Sequence, residues 1–377
     1  METNTFENLN LNKDLIRGVY LYGFRDPSQI QINGIKSIST SRDCIIQSQS
    51  GTGKTATYLL AILNKIQNNN MLQGIVIAPT RELANQIYNV SIELSKFTDI
   101  KIALCIGGTN SNNNRVELYN INLIIGTVGR IWYLITSKII NIINLTFFVL
   151  DEADDIVNNK DTKILELFNK LPAKKQIILI SGTLSKDIFN LSKKFMFEPI
   201  KILLKNEELV LDLISQYYID VESENEKFDT LLDLYNLVSS SQAIIYCNTI
   251  LKLQSIEKKL LENNFSIEVL NSLMTSEERN SVLQNFRDGI SRILLTTDLL
   301  ARGIDIPKVN LVINYDLPSN KETYIHRIGR CGRFNKKGIA ISIIKKNDSQ
   351  DIFIIKKLMT IYKMQINQIP ESFDIEL

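Results

Sequence analysis

Short runs of apolar, mostly β-branched residues recur along this chain, each separated from the next by a longer amphipathic stretch. In the first half they are Cys44–Ile46, Gly74–Ala78, Leu123–Ile125, Phe147–Leu150 and Gln176–Ile180. After about residue 214 the rhythm returns in Ala243–Tyr246, Ile267–Leu270, Arg292–Leu295, Leu311–Ile313 and Ile339–Ser342. A strand with one wet face alternates apolar and polar residues. These runs do not alternate, so they predict strands buried on both faces of a mainly parallel sheet. Strands interleaved with helices make α/β layers, and 377 residues suffice for two domains with cores of their own. No stretch of one half repeats in the other, so any duplication is architectural only. The predicted organisation is an N-terminal segment at 1–22, a first domain at 23–204, a short linker at 205–213 and a second domain at 214–377. Lys205 to Asp212 is rich in charge and free of glycine, as suits a linker with some stiffness.

Composition narrows the partners. Lys and Arg number 43 against 41 Asp and Glu, a net charge of +2. That argues against constitutive polyanion binding, although a local basic face making a few phosphate contacts would still bind in the micromolar range. The 4 cysteines, Cys44, Cys105, Cys247 and Cys331, form no Cys-x-x-Cys pair. This argues against disulfides and a zinc site, and for a reducing intracellular compartment, cytoplasmic or nuclear. No apolar run reaches the roughly 18 residues of a membrane span, and Met1 to Asn12 lacks the apolar core of a secretory signal.

The chemistry sits in segments far apart. After the run at Cys44–Ile46 comes Ser48-Gln49-Ser50-Gly51-Thr52-Gly53-Lys54-Thr55, a phosphate-binding loop whose usual first glycine is replaced by Ser48. Gly51 and Gly53 let the backbone of Ser50 to Gly53 curl so that its N–H groups face a phosphate chain, and the helix that follows adds its dipole. Lys54 would reach the β- and γ-phosphates and the Thr55 hydroxyl would bind Mg²⁺. Asp151, at the end of Phe147–Leu150, is the expected Mg²⁺ partner, and Glu152 beside it can take a proton from the attacking water. Phosphoryl transfer also needs positive charge beyond the γ-phosphate. Arg330 and Arg333, in His326-Arg327-Ile328-Gly329-Arg330-Cys331-Gly332-Arg333, are spaced to sit on adjacent turns of one helix or its capping loop. His326, the only histidine, is expected to bridge two domains by hydrogen bonding. Neither segment hydrolyses a nucleotide alone, so the chain reads as two domains that form an ATPase when they close.

In this order, the motifs resemble those of the DEAD-box RNA helicases, from about Phe6 to the C-terminus. The resemblance implies two RecA-like domains, ATP and Mg²⁺ as cofactors, and RNA-stimulated ATP hydrolysis coupled to local strand separation. Gly23 to Gln31 resembles the family's Q motif, with Gln31 reading the adenine edge and Phe24, joined by Phe6, giving aromatic surface near it. Pro79-Thr80-Arg81-Glu82-Leu83-Ala84, Gly107-Gly108 and Thr127-Val128-Gly129-Arg130 are similar to RNA-facing motifs, with Val128 where the family usually has Pro. The implied RNA contacts of the first domain are Thr80, Arg81, Gly108, Thr127 and Arg130. Those of the second are Thr249, Arg279, Thr297, Arg302 and Gly303, while Asp305 would bind ATP at its ribose. Backbone contacts position a strand without reading its sequence, so little base specificity is expected on single-stranded or duplex RNA. Ser181-Gly182-Thr183 resembles the family's Ser-Ala-Thr motif. Ser181 and Thr183, with Asp154 and His326, would couple the ATP and RNA sites. The His-Gly pair common in relatives is missing from Ser272-Leu273-Met274-Thr275.

Within the family, Thr296 to Asp305, Val312 to Pro318 and Tyr324 to Phe334 resemble the initiation factor 4A group, while Lys227 to Leu231 and Cys247-Asn248-Thr249 lean toward its nuclear paralogue of RNA processing. The resemblance also implies a monomer, no membrane, and protein cofactors that control closure. The alternative is a slow-turnover, ATP-gated RNA clamp at the core of a larger ribonucleoprotein complex, for which Val128, Gly182 and the missing His-Gly pair leave room.

Overall fold

The computed structural model describes residues 5–47, 52–107, 118, 120–158, 162–203, 214–237, 242–298, 309–331, 338–346, 348–360 and 364–369. The chain forms two compact units, Met1–Asn206 and Glu207–Leu377. The boundary falls within the span read as a linker, which lies outside the described residues. Both units are α/β.

The first unit is built on a sheet of strands β1 (Cys44–Gln47), β2 (Gly74–Ala78), β3 (Ile102–Cys105), β4 (Leu123–Thr127), β5 (Phe147–Leu150), β6 (Gln176–Ser181) and β7 (Ile200–Leu203), in the order β3-β4-β2-β5-β6-β1-β7. The second contains β8 (Ile214–Val221), β9 (Gln242–Cys247), β10 (Ile267–Leu270), β11 (Ile293–Thr297), β12 (Val309–Asn314), β13 (Gly338–Lys345) and β14 (Asn367–Gln368), in the order β10-β11-β9-β12-β13-β8-β14. Counted from each unit's first strand, the two orders are the same. Every pairing between these strands is parallel.

The unbroken apolar runs follow from helices on both faces. Along β2, Val76 and Ala78 join one core while Ile75 and Ile77 join another. Along β6, Ile178 and Ile180 face the first core, Ile177 and Leu179 the second. Successive side chains of a strand point to opposite faces, so each residue needs an apolar side chain of its own. Helices Gln29–Ser39, Lys54–Leu63 and Arg81–Leu94 fill the first core, and helices Val128–Thr136, Thr162–Lys170 and Lys186–Phe195 the second. The other unit repeats the plan, with Tyr324 and Ile328 on one face of its sheet and Leu253 and Ile256 on the other.

The N-terminal segment set apart at 1–22 packs into the first unit. Phe6, Leu15 and Val19 are buried in the same core as β2. Helix Lys13–Leu21 crosses helix Arg81–Leu94 so closely that a Cβ on Gly18 would lie 2.1 Å from the Leu94 carbonyl oxygen. Phe6, expected near the adenine, is instead a core residue. Its ring is fully buried between Tyr20 and Phe24, with centroids 6.4 and 6.3 Å away.

Candidate active site

Parallel strands deliver their following loops to one edge of a sheet, where α/β proteins bind ligands. In the first unit, β1, β5 and β6 lead to the phosphate loop, to Asp151 and to Ser181-Gly182-Thr183, while β2 and β4 lead to Thr80 and Thr127. Both expected halves of the site thus share one edge, the nucleotide half on β5-β6-β1 and the RNA half on β4-β2.

Ser50 and Gly51 lie outside the described residues; Thr52 to Thr55 are within them. Gly53 has φ of 91°, a left-handed backbone that glycine adopts without a Cβ clash. A Cβ there would also come within 2.9 Å of Gln31 Nε2. Ser28 Oγ donates to the Thr52 carbonyl at 3.2 Å, and Ser28 N donates to Gln31 Oε1 at 2.8 Å, closing the first turn of the Gln29–Ser39 helix. Buried Gln31 is therefore fixed against the phosphate loop. Its carbonyl oxygen keeps a second lone pair and its amide nitrogen faces Gly53, as an adenine reader needs. Half-buried Phe24 packs 5.1 Å from Tyr22, centroid to centroid.

Asp151 is buried immediately after β5. Its Oδ1 accepts from Glu152 N at 2.9 Å and its Oδ2 from the Tyr58 hydroxyl at 2.8 Å. Burial raises the Asp151 carboxyl above the usual carboxylate range. The Lys54 charge, the Tyr58 hydroxyl and the Glu152 N–H pull it back down. Lys54 is buried at the first position of its helix, and Thr55 follows it there. Glu152 has φ of 48°, a left-handed conformation that costs a residue with a Cβ about 1–2 kcal/mol. Such strain tends to collect at functional sites. Asp154 Oδ2 accepts from Thr183 Oγ1 at 3.0 Å, and Ser181 Oγ donates to the Thr183 carbonyl at 2.6 Å, so the loop after β6 is tied to the acidic segment after β5.

A carboxylate and a hydroxyl are hard oxygen donors. Mg²⁺ keeps several waters and takes one or two protein oxygens plus phosphate oxygens, so Asp151 and Thr55 fit it. Among the described residues no cluster of three or more His, Cys, Asp or Glu could hold a metal by itself.

On the RNA half, Thr80 caps the Arg81–Leu94 helix, its hydroxyl accepting from Leu83 N at 3.2 Å. Arg81 lies over Gly107, where a Cβ would meet Arg81 Nη2 at 3.1 Å. Gly108 is outside the described residues. Thr127 precedes the Val128–Thr136 helix, on which the half-buried Arg130 sits 5.5 Å over the Tyr133 ring.

In the second unit Thr249 caps helix Ile250–Glu262, Arg279 Nη2 donates to the Ser272 carbonyl at 2.8 Å, and Thr297 ends β11. Helix Lys321–Ile328 stops at Gly329, so Arg330 lies in the capping loop, with its Nε donating to the His326 carbonyl at 3.3 Å. His326 and Arg330 are both buried. Arg302, Gly303, Asp305 and Arg333 lie outside the described residues. The hub of this edge is Arg327, fully buried 5.0 Å over the Tyr246 ring. It donates to Asp298 Oδ2 at 2.8 Å, to the Asp316 carbonyl at 2.6 Å and to Asn248 Oδ1 at 2.8 Å. Asn248 N in turn donates to Asp316 Oδ2 at 3.0 Å.

Comparison with known proteins agrees with this layout. Residues 28–191 match the DEAD/DEAH box helicase family and residues 226–335 the helicase conserved C-terminal domain. Eukaryotic initiation factor 4A of Caenorhabditis elegans is 43% identical over 372 residues, 98% of this chain and 92% of the relative. The ATP-dependent RNA helicase FAL1 of Kluyveromyces lactis is 42% identical over 375 residues, 98% of this chain and 94% of the relative. In structure, S. cerevisiae Dbp5 bound to RNA and ADP BeF3 is similar at a TM-score of 0.91 and 34% identity, covering 98% of this chain and 96% of that one.

The chain belongs to the DEAD-box RNA helicases.

As a DEAD-box helicase of the initiation factor 4A type, it has two RecA-like units. Sequence reasoning passed over two of this helicase's buried polar groups. Tyr58 was hidden in a helix whose residues are nearly all apolar. Arg327 stands in the motif already quoted, beside the arginines that were chosen. It sits on the Lys321–Ile328 helix among Tyr324 and Ile328, with Cys331 just beyond the helix end, all fully buried; an arginine within an apolar stripe at helical spacing is the signal that would have found it.

Proposed function

We propose that this helicase binds ATP and single-stranded RNA with its two units, and that their closure couples hydrolysis to local strand separation. Lys54 holds the β- and γ-phosphates, Gln31 reads the adenine and Asp305 meets the ribose. Glu152 accepts a proton from the attacking water, while Arg330 and Arg333 neutralise charge developing on the transferred phosphoryl group. Mg²⁺, held by Thr55 and Asp151, supplies neutralisation of the phosphate oxygens. Thr80, Arg81, Gly108, Thr127 and Arg130 on one unit, with Thr249, Arg279, Thr297, Arg302 and Gly303 on the other, grip the RNA backbone with little base preference. Closure bends that backbone, and a continuing duplex cannot follow. Asp154, Ser181, Thr183 and His326 relay between the two sites, and reopening follows phosphate loss.

The observation that carries this reading is the pair of sheets with one strand order, whose carboxyl edges hold Lys54, Asp151 and Glu152 in one unit and, in the other, the Arg327 hub three residues before Arg330. We place the protein as a monomer in a reducing intracellular compartment, cytoplasmic or nuclear, under protein cofactors that set closure. The four cysteines, all buried as free thiols, support that compartment. Among the described residues no helix is long and apolar enough to cross a membrane. Translation initiation is the cellular role favoured by the likeness to initiation factor 4A, with nuclear RNA processing second.

The test is steady-state ATP hydrolysis with and without single-stranded RNA. Strong stimulation by RNA that Arg330→Ala abolishes is expected; a response to DNA alone, or to neither polymer, overturns the reading. Glu152→Gln separates helicase from clamp: a helicase loses strand separation, whereas a clamp keeps its function and holds RNA longer.

A further inference from the structure

The phenol of Tyr58 reaches the metal-binding half of the site from inside the core. Its ring is fully buried in helix Lys54–Leu63, and its hydroxyl donates to Asp151 Oδ2 at 2.8 Å. The other carboxylate oxygen of Asp151 accepts from Glu152 N at 2.9 Å. Asp151 is therefore held at both oxygens, one by backbone and one by side chain, with lone pairs left for further bonds. A ring needed only as core filler would carry no hydroxyl, since a buried hydroxyl is costly unless bonded.

We propose that Tyr58 is a positioning residue for Mg²⁺. Its hydroxyl sets the plane of the Asp151 carboxylate, so that this ligand is in place before the nucleotide-bound cation arrives. This rests on Asp151 and Thr55 being that cation's protein partners. Groups that orient metal ligands typically contribute 10–100-fold to affinity.

The experiment is a Mg²⁺ titration of methylanthraniloyl-ADP binding to the full chain, with EDTA as the metal-free reference. In the unaltered chain Mg²⁺ tightens binding. In Tyr58→Phe, which keeps the ring, the Mg²⁺ concentration for half of that gain rises about tenfold, and affinity in EDTA is unchanged. With Mn²⁺ substituted, the electron paramagnetic resonance lines of the bound ion broaden as its geometry loosens. In an Asp151→Asn background Tyr58→Phe adds no further shift. An unchanged half-point in Tyr58→Phe, or an equal further shift in the Asp151→Asn background, overturns the proposal and leaves the metal reading standing. Nucleotide affinity that ignores Mg²⁺ in the unaltered chain overturns both. Should Tyr58→Phe melt below the working temperature, the chain is made with fluorotyrosine, a stronger donor: a lower half-point supports the proposal and an unchanged one overturns it.

Discussion

The two units share one strand order, yet their site edges are built differently. In the first, the acidic and hydroxyl groups are held in small separate contacts: Asp151 by Tyr58 and Glu152 N, Asp154 by Thr183, Gln31 by Ser28. In the second, a single guanidinium gathers Asn248, Asp298 and Asp316 from the ends of three strands. The first arrangement leaves hard oxygen donors that suit a metal. The second locks three loops to one helix, which suits the proposed task of carrying Arg330 as a rigid part. Under the proposed function the same scaffold would serve as a receptor in one copy and as a lever in the other.

That contrast can be broken from the second unit first. Arg330→Ala removes the proposed transition-state cation and should lower RNA-stimulated turnover about 10³-fold or more, measured as steady-state phosphate release, with nucleotide binding to the first unit nearly intact. A loss no greater than that of a surface arginine would dissolve the division of labour. Arg327→Met takes away a buried cation and strands its acceptors, at a cost of about 3–5 kcal/mol. Two-step urea unfolding should show the second unit's transition moving while the first unit's stays. The smallest effect belongs to the first unit: Gly18→Ala drives a methyl into the Leu94 carbonyl and should cost about 1–3 kcal/mol. Here the first unit's transition moves and RNA stimulation is retained.

The central strands were legible because both faces are covered and most residues are apolar. The strands that escaped notice lie at or beside sheet margins. β3 and β7 are the two edges of the first sheet, and β8 is covered on one side only by the two-residue β14. Ile200-Lys201-Ile202-Leu203 and Ile214-Ser215-Gln216-Tyr217 mix polar with apolar residues, as half-covered strands do. The phosphate loop, the acidic segment and the arginine motif could be read because their chemistry demands particular residues at fixed spacing. Tyr58 and Arg327 could not be read that way, because their roles depend on which strand ends the topology sets side by side. The N-terminal segment was set apart for a related reason. It joins the first core through Phe6, Leu15 and Val19 and through the close helix crossing at Gly18, and sequence spacing does not show which helices cross.

Glu152 occupies a left-handed backbone that glycine would occupy at lower cost. At this position a sequence drifting toward a more robust fold would drift toward losing the group proposed to accept the proton. Persistence of a carboxylate there would record selection for turnover acting against selection for stability. Among descendants of this chain released from the need to hydrolyse ATP, Glu152 is the place where relaxation should appear early.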